Sequence, residues 1–209
     1  YQESVFVMDS PVVTNSIFNK MLKFGKEDSV IIDCSFSTNG NALKENIRRI
    51  QGEAEAAVLS GKQHIALTDK YTDETRVSIP MILATAAVHS FLTRKGIRSF
   101  ISLHVQSAEC LDTHYFAVLI GVGATTVNPY LAQECIRERH EKGLFKDYSY
   151  EECVERYKKA VDQGLLKIMA KLGISVVSAY RGGFNFEVVG LSRSMVNEYF
   201  IGVQSRISG

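Results

Sequence analysis

Three acidic residues are the strongest candidates for catalytic chemistry in this sequence. Asp33, Asp69 and Glu109 each lie at or just beyond the end of a predicted strand. In parallel α/β folds the carboxyl ends of the strands form the functional edge, and carboxylates there can act as general bases. Acids at the same positions also stabilise the first turn of the helix that follows. The pattern therefore leaves catalysis and helix capping equally open.

Two further groups of polar residues could take part in acid–base chemistry. Asp112 and His114 follow Glu109 closely, but the sequence places no nucleophile or second carboxylate beside them, so capping by the acids is favoured. His89 and Ser90 lie inside the most apolar predicted helix. A histidine in that setting is usually a hydrogen-bonded core residue, so it is not favoured as a catalyst.

Two glycine-containing motifs could bind phosphate or a base. Residues 121–124, Gly-Val-Gly-Ala, carry two glycines of a dinucleotide-binding fingerprint but follow a predicted helix, whereas the fingerprint joins a strand to a helix. A helix end and tight turn is favoured. Residues 181–183, Arg-Gly-Gly, lie beside Tyr180, Phe184 and Phe186, and could offer N–H donors to an anion or stack on a base. A packed structural turn is again favoured.

The overall composition argues against several classes of partner. The chain has 24 basic and 23 acidic residues and a formal charge of +1, which indicates neither nucleic-acid nor membrane-surface binding. Cys34, Cys110, Cys135 and Cys153 have no CxxC spacing and are expected to be reduced thiols. No apolar run approaches the roughly 18 residues of a membrane span, and no leader opens the chain, so a cytoplasmic location is predicted.

Strands and helices are predicted to alternate along the chain after an extended segment over residues 1–29. Apolar, β-branched runs predict strands at 30–33, 64–68, 100–105, 126–127 and 174–178. Helical spacing predicts helices at 42–59, from Pro80 to near Gly96, at 111–120, from Pro129 onward, and from Ser149 to near Gly173. Asn41 is the predicted N-cap of the first helix, and Ser149 with Glu152 forms a predicted capping box.

This alternation requires parallel strands, in either a doubly wound sheet or a (β/α) barrel. A closed barrel needs about 250 residues, and the chain offers five or six strand candidates. We therefore predict one α/β domain over residues 1–209, with an incomplete TIM-barrel-like (β/α) architecture. Its open sheet edges, and the all-round apolar helix over residues 81–92, are expected to be covered by another domain. With Tyr1 and Gly209 at its ends, the chain is expected to be an internal part of a larger enzyme.

Several stretches, in order, carry a family resemblance. They are Ser10–Asn15, Leu67–Lys70, Ile79–Ser99, IGVGATTVNPYLA at 120–132, GLLKIMAKLGIS at 164–175, YRGGFNFEVVGL at 180–191 and YFIGVQSRISG at 199–209. Together they resemble the central domain of the glutamate synthase large subunit. The sequence departs from the family at residues 183–185, Gly-Phe-Asn for the usual Ala-Gln-Ile, and at Ser208 for the usual Gly.

The resemblance implies a parent enzyme that makes glutamate from glutamine and 2-oxoglutarate with reducing equivalents from NADPH or ferredoxin. It implies that FMN and a [3Fe-4S] cluster belong to the following domain, and that this domain holds no cofactor and is inactive alone. Its implied partners are the adjacent glutaminase and FMN-binding domains, with a small NADPH-oxidising subunit left open. Its implied role is to link those domains and form part of an ammonia tunnel, with Thr14 and Asn15 as candidate wall residues and ordinary turn capping as their alternative.

Two other functions remain open at this point. The first is a free-standing (β/α) enzyme acting on a phosphorylated small molecule, with Gly182 and Gly183 binding the phosphate and Asp33 or Asp69 as base. It requires a closed barrel and free backbone amides. The second is an RNA-binding module built on Arg181 and its aromatic neighbours, which requires salt-sensitive binding to single strands.

Overall fold

The structure of the chain is a computed structural model that describes residues 6–39, 43–183 and 185–209. Its helices are α1 (Asn15–Phe24), α2 (Leu43–Leu59), α3 (Met81–Arg94), α4 (Thr113–Gly121), α5 (Tyr130–Glu141), α6 (Tyr150–Lys171), α7 (Val177–Tyr180) and α8 (Arg193–Tyr199). Its strands are β1 (Ser29–Asp33), β2 (Ser35–Ser37), β3 (His64–Thr68), β4 (Arg76–Ser78), β5 (Ser102–Gln106), β6 (Thr126–Asn128), β7 (Glu187–Val189) and β8 (Gln204–Ile207). Asn41, the predicted N-cap of α2, and Phe184, the predicted stacking residue, lie outside the described residues.

The main sheet contains four parallel strands in the order β1-β3-β5-β6. The strands are added in chain order without reversal, which is the winding of a (β/α) barrel and differs from a doubly wound sheet. Val12 adds an isolated parallel bridge to Val127 on the far side of β6. Because the main sheet formed by the described residues has four strands in this order, the incomplete TIM-barrel-like fold is confirmed.

The helices pack on one face of this sheet and form the main core with it. Helix α3 contacts α2, α4, β3 and β5, and α8 packs against it from outside. Its buried positions are 81, 83–88, 90 and 92, so burial on several sides is confirmed. The expectation that another domain must cover this helix is wrong, because α8 of the same chain does so; the Ser90 hydroxyl donates to the Tyr199 carbonyl at 2.9 Å.

The other face of the sheet, which would line the inside of a barrel, is covered by α1. The prediction of an extended segment over residues 1–29 is therefore wrong for residues 15–24. Thr14 caps the helix by accepting from the Ile17 N–H at 3.3 Å. Phe18 and Met21 lie three positions apart, on the same face of the helix, and pack in a small core with Ala66 of β3.

The remaining sequence predictions are mixed. The strand predicted at 174–178 is wrong, because Val177–Tyr180 forms the short helix α7. The strand predicted at 100–105 begins later, after a 3₁₀ turn at Arg98–Phe100. The capping box at Ser149 and Glu152 is confirmed. Two small sheets were not predicted, an antiparallel pair β2-β4 and a parallel pair β7-β8.

Candidate functional site

The predicted acids do lie at the carboxyl edge of the sheet, where each one holds a loop. Asp33 accepts hydrogen bonds from the Ser35 N–H at 2.8 Å and the Ser35 hydroxyl at 2.7 Å. Its second oxygen forms an ion pair with Arg76 at 2.5 Å. Since Arg76 begins β4, this carboxylate fastens the small β2-β4 sheet to the end of β1. These contacts give Asp33 a structural role.

Asp69 and Glu109 connect loops across the same edge. Asp69 is buried and accepts from the Ala108 N–H at 2.8 Å, and burial is the main cause that raises its pKa. Glu109 accepts from the Met81 N–H at 3.0 Å, at the start of α3, and from the Tyr115 hydroxyl. Glu109 therefore caps a helix, but that helix is α3, which precedes it in the chain, and not the following helix that the sequence predicted. Asp69 joins the loops that follow β3 and β5.

A row of polar side chains crosses the inner face just inside this edge. Thr68, Gln106 and Asn128 are paired in register on β3, β5 and β6. The Thr68 hydroxyl donates to Gln106 Oε1 at 2.8 Å, and Gln106 Nε2 donates to Asn128 Oδ1 at 3.0 Å. Asn128 Nδ2 then donates to Asn15 Oδ1 at 2.9 Å, and Gln133 Nε2 reaches the same oxygen at 3.0 Å. We call these five residues the amide network.

Backbone groups fix the direction of every hydrogen bond in the amide network. Asn128 Nδ2 also donates to the Val13 carbonyl, which can only accept, so the Asn128 oxygen must face Gln106. The Asn15 N–H donates to Gln133 Oε1 at 2.8 Å, so the Gln133 nitrogen must face Asn15. The Asn15 side-chain oxygen therefore accepts twice, and its nitrogen has no hydrogen-bond partner within residues 6–39, 43–183 and 185–209. Asn15 thus offers two N–H donors to its surroundings.

Two clefts meet at Asn15. One, of about 370 Å³, is lined by Thr14, Asn15, Ser16, Ile17, Gln133, Arg137, Tyr150, Glu151, Val154 and Glu155. The other, of about 400 Å³, is lined by Asn15, Asn19, Lys70, Gln106, Tyr130, Glu134 and Arg137. Arg137 stacks on the Tyr150 ring at 4.2 Å, and Lys70 lies 5.9 Å from the Tyr130 ring centroid. Asn15 and Arg137 form the wall that the two clefts share.

A second polar layer lies deeper in the inner face. His64 Nδ1 and His104 Nε2 are 3.1 Å apart, and His104 Nδ1 is 2.7 Å from the Thr126 hydroxyl. Burial, followed by the charges of His64 and Arg98, lowers the pKa of His104 to about 3. Burial also lowers the pKa of His64. Both imidazoles are therefore neutral at physiological pH.

The sequence analysis did not predict either polar layer, although the residue pattern of two strands indicates them. Polar residues occupy alternate positions of β5 and β6, namely His104 and Gln106 of β5 and Thr126 and Asn128 of β6, while the positions between them are apolar. A period of two indicates two distinct faces of a sheet. The β-branched runs predict strands that are buried on both faces, whereas this alternation predicts one face that carries polar side chains.

The glycine motifs are structural turns, as the sequence favoured. Residues 121–124 end α4 and lead into β6, the reverse of the order a dinucleotide site needs. The Gly182 N–H donates to the Gly121 carbonyl at 3.0 Å, and the Gly183 N–H donates to the Tyr180 carbonyl at 3.2 Å. Neither amide is free for a phosphate, and the described sheet is not a closed barrel. The alternative of an enzyme that acts on a phosphorylated small molecule required these amides to be free to bind the phosphate, and they are not.

The other candidate residues are also held by structural contacts. His89 accepts from Arg98 Nε at 3.0 Å, and burial together with Arg98 and Arg181 lowers its pKa to about 4. Asp112 caps α4 by accepting from the Tyr115 N–H at 2.9 Å. Arg181 is only partly exposed, which leaves little of it for the RNA contact considered above.

The described part of the chain has neither a metal-binding group nor a helix that could span a membrane. Within those residues no group of three or more His, Cys, Asp or Glu side chains could hold a metal ion. Burial raises the pKa of the Cys34 and Cys110 thiols, whereas Cys135 is exposed and Cys153 is half-buried. No helix in the described ranges is both long and apolar enough to cross a membrane.

Comparison with known proteins gives consistent results. The family model described as "Glutamate synthase central domain" matches residues 1–192. The chain is 53% identical over 210 residues to a "Glutamate synthase [NADPH] large chain" of Azospirillum brasilense, covering 100% of the chain and 14% of that protein. It is 39% identical over 202 residues to the Bacillus subtilis protein of the same name, covering 96% of the chain and 13% of the relative. It is 37% identical over 215 residues to a "Ferredoxin-dependent glutamate synthase" of Pyropia yezoensis, covering 97% and 14%. The chain thus spans about one seventh of the length of these relatives.

Among solved structures, the flavin-binding domain of baker's yeast flavocytochrome b2 is similar with a TM-score of 0.55 at 13% identity. The match covers 91% of this chain and 44% of that one. A flavocytochrome b2 mutant with benzoylformate matches with a TM-score of 0.54 at 12% identity, covering 80% and 37%. At such low identity the likeness concerns the fold alone, and it agrees with the barrel-type winding of the sheet.

Proposed function

Because the chain belongs to the glutamate synthase central domain family, we propose that it links the glutaminase and FMN-binding domains of a glutamate synthase and forms part of its ammonia tunnel. The parent enzyme would make glutamate from glutamine and 2-oxoglutarate with reducing equivalents from NADPH or ferredoxin. The neighbouring domains of the same polypeptide are the proposed partners, with a small NADPH-oxidising subunit left open. A cytoplasmic location and a single domain over residues 1–209 belong to the same proposal.

The contacts of the polar residues support a scaffold role. Each acid at the carboxyl edge fastens a loop, and the amide network ties α1 to three strands. A hydrogen-bonded network that connects several elements in this way keeps a structure rigid. A rigid domain can hold two active sites at a fixed separation, so we propose that the segment is inactive by itself.

FMN and the [3Fe-4S] cluster are assigned by this proposal to the following domain. Two observations on the described residues support that assignment. The Gly182 and Gly183 amides, which could have held a phosphate, are bonded to carbonyls. The four thiols also lack the grouping that an iron–sulfur cluster requires, because two are buried in the core and no metal-binding group forms among the described side chains.

Asn15 is the observation that carries the tunnel part of the proposal. Neutral ammonia has a lone pair that can accept a hydrogen bond, whereas ammonium has none. The Asn15 amide nitrogen offers two donors at the wall between two clefts, so it can bind ammonia through that lone pair and has no acceptor to offer ammonium. A donor at this position favours the neutral molecule that the synthase reaction needs. Thr14 contributes by capping α1 and so fixing the turn that carries Asn15.

Replacement of Asn15 by Asp in the full-length enzyme tests this proposal. The substituted side chain keeps an oxygen for Asn128 and Gln133, so α1 stays in place, but a carboxylate stands where the donors were. We expect glutamine hydrolysis to continue while free ammonia appears and less glutamate forms per glutamine consumed. Asn197→Asp, at an exposed asparagine on α8 that lines neither cleft, is the matched control. Unchanged coupling in Asn15→Asp, with no ammonia released, would refute the role of Asn15.

A further inference from the structure

Two arginines, Arg98 and Arg181, lie near the amino ends of β5 and β6, at the opposite edge of the sheet from the amide network. Arg98 donates to His89 Nδ1 at 3.0 Å and to the Gly123 carbonyl, in the turn before β6, at 2.8 Å. Arg181 follows α7 in a segment whose backbone is bonded to the end of α4. Burial, followed by the charge of Arg181, lowers the pKa of Arg98 to about 10, so both side chains stay charged at physiological pH. We call Arg98 and Arg181 the arginine pair.

No carboxylate balances the arginine pair within the described ranges. Arg98 donates to the His89 ring and to the carbonyls of Gly123 and Ile101, all of which are uncharged acceptors. The Arg181 guanidinium makes no hydrogen bond or ion pair with any described residue. A partly buried charge without a counter-charge is unfavourable. The arginine pair therefore favours an anion that comes from outside these residues.

The Arg181 guanidinium is accessible to such an anion. Its Nε is buried without a hydrogen-bond partner, but the residue as a whole is partly exposed. Its two terminal nitrogens are also unbonded and are not among the buried unsatisfied atoms of the described chain, so they reach the surface. A guanidinium binds a carboxylate through two parallel N–H···O bonds, for which this edge is sufficient.

An apolar cleft of about 280 Å³ adjoins the arginine pair. Its lining includes His89, which is bonded to Arg98, and Gly182, which follows Arg181. Phe186 and Phe200 are among its apolar residues. Its lining residues include Arg94 and no acid, so the cleft has the same sign of charge as the arginine pair. An apolar side chain can enter this cleft beside an anion that is bound to Arg181.

We propose that Arg181 and this cleft dock a segment of a neighbouring domain of the same polypeptide, in which an Asp or Glu lies beside an apolar side chain. The carboxylate binds the guanidinium, and the apolar side chain fills the cleft. The inference rests on the proposed function, in which the chain is one part of a longer enzyme. Two observations select this occupant. The charge of the site requires an acid that the described residues do not supply, and the relatives are about seven times as long as the chain. An inorganic anion would use the guanidinium but not the cleft.

Carbodiimide cross-linking of the full-length enzyme tests this docking site. The reagent joins a primary amine to a carboxylate in contact with it, and arginine does not react. Arg181→Lys therefore places a reactive amine at the site. We expect peptide mass spectrometry to find the introduced lysine joined to an Asp or Glu outside residues 1–209. Arg206→Lys is the matched control, because Arg206 forms an ion pair with Glu187 at 3.2 Å and its replacement is expected to couple to that acid.

Two further variants, each made together with Arg181→Lys, locate the contact. Changing the identified acid to its amide is expected to abolish the cross-link at position 181. Ile201 lines the cleft and is 45% exposed, so Ile201→Trp fills the cleft and is expected to lower the yield of the cross-link. An undiminished yield in that variant would refute the part that the cleft plays.

The docking site and the proposed reaction can fail separately. No cross-link at position 181, while Arg206→Lys couples to Glu187, would overturn the docking site, as would a cross-link to an acid within residues 1–209. If the unmodified enzyme makes glutamate from glutamine in that case, the proposed function stands. A cross-link to an acid outside residues 1–209 in an enzyme that makes no glutamate would support the docking site and refute the proposed reaction.

Discussion

Replacement of Asn128 by leucine tests whether the amide network holds the inner face together. Asn128 is fully buried, and its side chain has the same branching and the same number of heavy atoms as leucine. It donates to the Val13 carbonyl at 3.0 Å and to Asn15 Oδ1 at 2.9 Å, and it accepts from Gln106 Nε2 at 3.0 Å. Leucine removes all three hydrogen bonds without leaving a large cavity, so the change isolates the polar contribution.

The expected loss follows from the groups that remain without a partner. Asn15 Oδ1 keeps its bond from Gln133, but the Val13 carbonyl and the Gln106 nitrogen lose the partners described here. A buried group left unsatisfied costs about 1–3 kcal/mol. Val13 is buried, whereas the half-buried Gln106 side chain lines a cleft and can bond to water, so we predict a loss of about 1–3 kcal/mol in the free energy of unfolding.

Urea denaturation followed by circular dichroism measures this loss. Asn19→Leu provides the matched control, because Asn19 is an exposed asparagine on α1, and we expect a change within about 0.5 kcal/mol there. A loss below about 1 kcal/mol for Asn128→Leu, with an unchanged m-value, would show that the network does not stabilise the fold.

Two further predictions concern a turn and the buried histidines. Gly123 has φ of 130°, and a Cβ there would lie 2.3 Å from the His89 ring. At Gly143, with φ of 71°, a Cβ would meet open space. Gly123→Ala is therefore expected to lower the melting temperature far more than Gly143→Ala. Equal melting temperatures would contradict this steric account. The pKa of His104 is lowered from 6.5 to about 3, so the folded protein resists protonation of this side chain. Below pH 6.5 the unfolded chain takes up the proton and the folded protein does not, so the free energy of unfolding falls as the pH falls, by at most about 1.4 kcal/mol per pH unit. His104→Gln is expected to flatten urea-derived stability between pH 6.5 and 4 relative to the exposed control His114→Gln, and parallel profiles would contradict the assignment.

The strands and long helices were predictable because their patterns are local. The β-branched run that ends at Asp33 and the run from His64 to Thr68 predicted β1 and β3 to within a residue. Ser149 and Glu152 marked the start of α6 through a capping box that needs only four consecutive residues. Strand alternation with helices was enough to predict parallel pairing.

The errors arose where distant parts of the chain decide the outcome. Helix α1 has only ten residues, and its stability depends on packing Phe18 and Met21 against Ala66, a contact that no local pattern reveals. Residues 174–178 are rich in β-branched side chains, yet Val177–Tyr180 is helical, because Ile174 and Val177 pack against the core and no strand among the described residues pairs with the segment. The amide network could not be assembled from sequence, because Asn15 and Gln133 lie 118 residues apart.

The fixed direction of the amide network has an evolutionary consequence. Turning over one amide in it would set two donors or two acceptors against each other, so a change at Gln106 is tolerated only if Thr68 or Asn128 changes with it. We expect the residues at positions 68, 106 and 128 to change together in natural variants of this fold. The three positions would then be either all polar or all apolar. Single replacements within the row are the combinations that selection would remove.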